Sequence, residues 1–266
     1  EPYVMGSHAT GSGAWCSGPE DVSPPEYFWG YNRMMTIEGL FGAGDAVGGT
    51  PHAFSSGSFT EGRLSAKAAC RYIDDGKGEG IVVSDKRIKE LKEEVYKPIE
   101  HYKIYRNEVV AGDVNPNYIN PRQGLDRLQK LMDEYCGGAT VSYMTNEKLL
   151  GIGLKKLKIM EEDLQKLAAS DFHELLRAWE LKHRHRTAEC VAQHTMFRKE
   201  TRWPGYYYRG DYMKLDDKNW HVLTVSRRDP ETGEYTMEKA PCYHLVKEDT
   251  VKEGTAKKSA EKVAAE

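Results

Sequence analysis

The 266-residue sequence has five cysteines, Cys16, Cys70, Cys136, Cys190 and Cys242, an odd number spaced too widely for a CxxC ligand pair. Cysteines alone therefore build neither a disulfide framework nor a metal or cluster site here, and none is assigned. The usage suits a reducing compartment, and the chain is read as cytoplasmic. No apolar run approaches the roughly 20 residues that span a bilayer, so the chain is not expected to be membrane-embedded. The opening "EPYVMGSHAT" has neither a basic n-region nor an apolar h-region. An excess of positive charge is missing too: 38 Lys and Arg stand against 41 Asp and Glu, a formal net charge of −3. Binding to a nucleic-acid backbone needs the opposite balance, so no nucleic-acid partner is expected. The chain also lacks an initiator Met, and "EPYVMGSHATGSGAW" reads as the interior of something longer.

What is present is enough for one large domain or two modest ones, with 39% hydrophobic residues. Gly6 to Tyr31 is loop-rich, with aromatic anchors at Trp15, Tyr27, Phe28, Trp29 and Tyr31. "GLFGAGD" then reads as a short buried strand running into a tight glycine turn, and Phe54 to Tyr72 holds helical spacing with serines at its front. Asp85 to Arg106, Arg122 to Tyr135, Glu147 to Leu167 and Asp171 to Phe197 carry apolar residues at three-to-four spacing, the signature of a helical bundle. "NWHVLTVSRR" and "GEYTMEKAPCYHLV" predict a hairpin about the turn "DPETG". The last stretch, "KEDTVKEGTAKKSAEKVAAE", has almost no large apolar group and is expected to be solvated or to fold on a partner.

Asp45 draws attention within this pattern. A carboxylate at the end of a buried strand, followed by glycines and the positive end of a helix, is how nucleotide cofactors are commonly held. An Asp that caps its own turn is the other reading. "KHRHR", Lys182 to Arg186, fans over more than half a helical turn and is expected to be a solvated or partner-facing surface. Phe54 and Phe59, at helical spacing, are expected to fill core. Trp203, Tyr206, Tyr207 and Tyr208 are too many for one exposed loop and are expected to seal an interface or junction.

"GLFGAGDAVGG" with "EGRLSAKAA" resembles the second flavin-binding motif of the fumarate reductase and succinate dehydrogenase flavoprotein superfamily. "RKETRWPGYYYRGDYMKLDDKNW" resembles the same superfamily's carboxyl-terminal signature. Within it, "EPYVMGSHATGSGAW", "TPHAFSSGSFTEGR" and "ETRWPGYYYR" resemble the dissimilatory adenylylsulfate reductase family of alpha subunits. Two departures from the dicarboxylate enzymes agree with that branch. No Arg or Lys occurs from Gly39 to Gly62, so a diacid would lack its cationic clamp. Pro2 stands where those enzymes keep a substrate His, and His8 is offered instead.

The resemblance implies a fold: the end of an α/β, Rossmann-like FAD-binding domain, followed by a mainly α helical-bundle domain with a small β hairpin. The expected divisions are 1–80 for the flavin part, 81–200 for the helices, 201–246 for the aromatic segment and hairpin, and 247–266 for the tail. It also implies FAD in this subunit, with adenylylsulfate, AMP and sulfite as substrates interconverted through a flavin–sulfite adduct. The implied partner is a ferredoxin-like iron–sulfur beta subunit carrying two [4Fe-4S] clusters, whose electrons can come from a donor at the membrane. Residue by residue, it implies that Asp45, beside Gly44, accepts from the ribityl hydroxyls. Ser55 and Ser56 would offer backbone amides to the flavin carbonyl edge. Met5, Gly6 and Ser7 would pass the isoalloxazine ring, and His8 would meet the sulfate or sulfite. The glycine fingerprint GxGxxG is not found at the start of the sequence, and the family's capping domain with its substrate Arg is not seen. These residues alone are therefore expected to bind FAD weakly or not at all. A dicarboxylate or aspartate oxidoreductase and a non-catalytic helical module are the rival readings.

Overall fold

The computed structural model describes residues 12–48, 54–78, 80, 82–110, 115–202 and 207–242. They fall into two compact units, one reaching to Val82 and the other running from Val83 to Cys242.

The first unit sets an irregular, aromatic-rich segment against one long helix, α1 (Phe54–Asp74). Isolated bridges tie the segment together, pairing Cys16 with Met35, Met34 with Phe41 and Ala14 with Val47. The strand expected over "GLFGAGD" does not form. Its backbone groups go into turns and single bridges instead: Met35 N–H donates to Leu40 O at 2.8 Å and Gly42 N–H to Arg33 O at 3.0 Å. Gly44–Ala46 closes a 3-10 turn, and Gly44 adopts φ +64°, a conformation that glycine reaches without strain. The α1 face toward this segment carries Glu61, Ala68 and Tyr72, all buried. Tyr31, Phe41 and Tyr72 meet edge to face, with ring centroids 5.3 to 6.5 Å apart, a favoured aromatic geometry. Phe59, expected in a core, is 81% exposed among the described residues, because it lies off the Glu61–Ala68–Tyr72 stripe.

The second unit is a helical bundle with small β additions. It contains α2 (Asp85–Tyr105), α3 (Pro121–Tyr135), α4 (Glu147–Leu164) and α5 (Phe172–Phe197). Local chemistry starts each helix. Asn120 and Gln123 form a reciprocal capping box at α3, with Pro121 in the first turn where its missing N–H costs nothing. Asn146 caps α4 and Asp171 caps α5 through their side-chain oxygens. The core lies where α3, α4 and α5 meet, on Leu128, Leu150, Leu157, Met160, Leu164, Ala178, Leu181, Ala188 and Ala192. Gly124 lets α3 approach closely, since a Cβ there would fall 2.4 Å from Leu181 Cδ2.

Two short sheets complete the unit. β1 (Met144–Thr145) pairs in parallel with β2 (Tyr208–Arg209). After a short helix, α6 (Asp217–Trp220), β3 (Val222–Arg228) and β4 (Tyr235–Pro241) form the expected antiparallel hairpin, with Val222 opposite Pro241. Its turn is organised by Asp229, whose carboxylate accepts from the N–H groups of Glu231 and Thr232 at 2.9 and 2.7 Å. The hairpin docks on α5, where His194 meets Thr224 Oγ1 at 3.0 Å and Ser226 Oγ at 2.9 Å.

Candidate functional site

The residues from Gly39 to Val47 and the start of α1 form the candidate site. Ser58 of α1 lies against the turn, for a Cβ on Gly44 would come within 3.2 Å of its hydroxyl. The next turn of α1 brings Glu61 to Arg33, with Arg33 Nη2 2.8 Å from Glu61 Oε1 and both side chains largely buried. Arg33 Nη1 also points at Cys16 Sγ, 3.8 Å away. Burial raises the Cys16 thiol pKa, against the lowering influence of Arg33.

Asp45 is exposed, and its side chain makes no cap on its own turn. Among the described residues it has no hydrogen-bond or ion-pair partner, so the turn-capping reading is not what its geometry supports. Ser55 and Ser56 occupy the first turn of α1 and are exposed, next to the amide groups that a helix start leaves without intrahelical partners. An exposed acceptor without a protein partner, a glycine-built bend and a helix start fit the hydroxyl-rich arm and carbonyl edge of a flavin. Met5, Gly6, Ser7 and His8 lie outside the described residues, as do Trp203, Tyr206 and the 247–266 tail.

The carboxyl-terminal arginines serve the fold. Arg209 is fully buried. Its guanidinium donates to the carbonyls of Thr195, Met196 and Arg198 and to Asp211, with Nε 3.0 Å from Oδ1. Asp211 in turn accepts from Glu147 N–H at 2.7 Å, fastening the start of α4. Arg202 and Arg198 both hold the buried Glu200 carboxylate at 2.6 Å, and Asp216 N–H adds a bond at 2.9 Å. Burial by itself would raise the Glu200 pKa, but the hydrogen bonds from Arg202, Asp216 and Arg198 hold it below the usual value.

"KHRHR" is only partly the solvated face expected of it. His183 and Arg184 are exposed, but His185 is buried and its Nε2 lies 2.8 Å from Leu157 O. Arg186 is ion-paired with Glu161 and Glu189. The reason is helical phase: Leu181, His185, Ala188 and Ala192 share the α5 stripe that faces the core. Sequence reasoning passes over Arg33 and Glu61. The place of Glu61 on the stripe with Ala68 and Tyr72 could have marked it, whereas nothing local marks Arg33.

Among the described residues no group of three or more His, Cys, Asp or Glu could hold a metal ion, and no helix is long and apolar enough to cross a membrane.

Comparison with known proteins completes the picture. A family model described as the fumarate reductase flavoprotein C-terminus matches residues 125–257. The alpha subunit of adenylylsulfate reductase from Megalodesulfovibrio gigas is 41% identical over 259 residues, covering 94% of this chain and 38% of that protein. The structure of adenylylsulfate reductase from Archaeoglobus fulgidus is similar at 52% identity and a TM-score of 0.85, over 92% of this chain and 39% of that one. An adenosine-5-phosphosulfate reductase in complex with sulfite as a covalent adduct is similar at 51% identity and a TM-score of 0.84, with the same coverage of 92% and 39%. The chain thus spans about two fifths of the length of these relatives.

Proposed function

The chain belongs to the fumarate reductase flavoprotein C-terminal family, and from that membership we propose that it is the carboxyl-terminal portion of a dissimilatory adenylylsulfate reductase alpha subunit. The activity is the reversible conversion of adenylylsulfate to sulfite and AMP in sulfur metabolism. The observation that carries this reading is the likeness, at about half identity and over nearly the whole chain, to solved adenylylsulfate reductases. The absence of Arg and Lys from Gly39 to Gly62 supports it, because a dicarboxylate substrate would lack its usual cationic clamp there.

FAD, when bound, supplies a two-electron couple. The chain's own contribution is to hold and orient. Asp45 accepts hydrogen bonds from the ribityl hydroxyls, beside Gly44, and this part of the chain is the end of a Rossmann-like FAD-binding domain. Ser55 and Ser56 direct α1's first amides at the flavin carbonyl edge. Met5, Gly6 and Ser7 would pass close to the ring, as the resemblance implies. His8 meets the sulfate or sulfite, and its imidazole can carry a proton near neutral pH. A ferredoxin-like iron–sulfur beta subunit with two [4Fe-4S] clusters delivers the electrons, in the cytoplasm.

The test uses the complete alpha subunit with its partner. Sulfite should bleach the flavin absorption band, and AMP plus sulfite should support turnover when an artificial electron acceptor such as ferricyanide takes up the two electrons released. Reduction of fumarate with no response to adenylylsulfate or sulfite would overturn the reading in favour of a dicarboxylate enzyme.

A further inference from the structure

In the first unit, Arg33 is bound both to the segment that leads into Asp45 and to the helix that faces it. Arg33 adopts φ +64°, a left-handed backbone that bulky residues rarely take. In that conformation its N–H donates to Ser17 O at 2.9 Å and its carbonyl accepts from Gly42 N–H at 3.0 Å. Only Ala43 and Gly44 separate Gly42 from Asp45. The Arg33 side chain leaves in the other direction, crossing to Glu61 of α1 at 2.8 Å. Glu61 lies one turn beyond Ser58, on the same helical face, and Ser58 is the residue against which Gly44 packs.

The pair is not built for stability alone. Arg33 Nε and Glu61 Oε2 are both buried without a hydrogen-bond partner among the described residues, and a buried ion pair with unused capacity is a poor way to gain folding energy. Strained backbone held in place by surrounding contacts is characteristic of sites where position matters.

We propose that Arg33 and Glu61 form a positioning link that sets the Asp45 turn against the start of α1, and so sets how tightly and in what orientation the flavin is held. This rests on the flavin reading above. Neither residue is assigned a contact with the cofactor.

The test compares Glu61→Gln, Arg33→Asn and Arg33→Lys in the complete alpha subunit, measuring the FAD dissociation constant by flavin fluorescence and the visible circular dichroism of bound flavin. Asn tolerates the left-handed backbone, so Arg33→Asn removes the guanidinium while leaving the local chain path intact. It decides the question even if Glu61→Gln fails to fold. Glu61→Gln and Arg33→Asn should weaken FAD binding about tenfold or more and alter the flavin dichroism, with Arg33→Lys recovering most of the loss. Glu200→Gln, in the other unit, should lower the melting temperature but leave the FAD dissociation constant within about twofold. Arg33→Asn binding FAD within about threefold of the parent, with unchanged dichroism, would overturn the link while leaving the flavin reading intact. A parent subunit that takes up no FAD would remove both.

Discussion

At the scale of single residues, the second unit keeps its charges inside by giving each one several partners. Glu200 has no exposed side-chain surface and sits between Arg198 and Arg202. Removing that carboxylate leaves the two mostly buried guanidinium groups with Asp217 as their remaining carboxylate partner among the described residues, and buried charge short of compensation is costly. Glu200→Gln should therefore destabilise the unit by about 3 kcal/mol at neutral pH, measured by chemical denaturation. The pH dependence follows from the direction of the Glu200 shift. Its folded pKa is held below the ordinary glutamate value of about 4.3 by Arg202, Asp216 and Arg198 acting against burial. Its stabilisation is complete above that ordinary value and is lost as pH falls through the folded one. Acid denaturation of Glu200→Gln should accordingly show a flatter limb below about pH 4.3. An acid limb as steep as the parent's would show that other carboxylates carry the effect.

At the scale of elements, the bundle depends on the stripe of α4 that α3 and α5 enclose. Leu150 and Leu157 are both fully buried there. Leu157→Ala should cost about 2–5 kcal/mol, with the value set by how far the neighbours can collapse into the space. A loss below about 1 kcal/mol, read from urea denaturation, would mean that the three helices are less tightly packed than their geometry shows. These helices were legible in the sequence because each pairs an amphipathic period with a local start signal, such as Asn120 with Gln123 or Asp171 with Glu174. The hairpin was legible for a similar reason, since Asp229 to Gly233 carries its own turn chemistry. "GLFGAGD" misled because alternation and glycines describe a chain that could pair as a strand. Whether it does depends on which backbone lies alongside, and here that backbone offers Phe41 only a single bridge to Met34.

At the scale of the whole molecule, the two units divide the work. The second, Val83 to Cys242, carries the large apolar core, and the first carries Asp45 and the helix that faces it. On the flavin reading proposed above, the first unit would hold the cofactor through Asp45 and the start of α1, without the glycine fingerprint that receives a pyrophosphate. The 266-residue chain by itself should therefore bind FAD with a dissociation constant weaker than about 1 µM, corresponding to less than about 8 kcal/mol. Titration followed by flavin fluorescence checks this, and tighter binding would show that these residues hold the cofactor unaided.

The sequence by itself determined the helices, their caps, the hairpin turn and the residue types around Asp45, because all of these follow from interactions between near neighbours along the chain. It also carried the family motifs from which the flavin role is drawn. Tertiary structure alone decided that His185 turns inward onto Leu157, that Arg202 and Arg209 are spent on buried carboxylates and carbonyls, and that Arg33 crosses to Glu61. Those outcomes depend on which distant backbone or carboxylate comes within about 3 Å, the reach of a hydrogen bond, and no local pattern of residues encodes that distance.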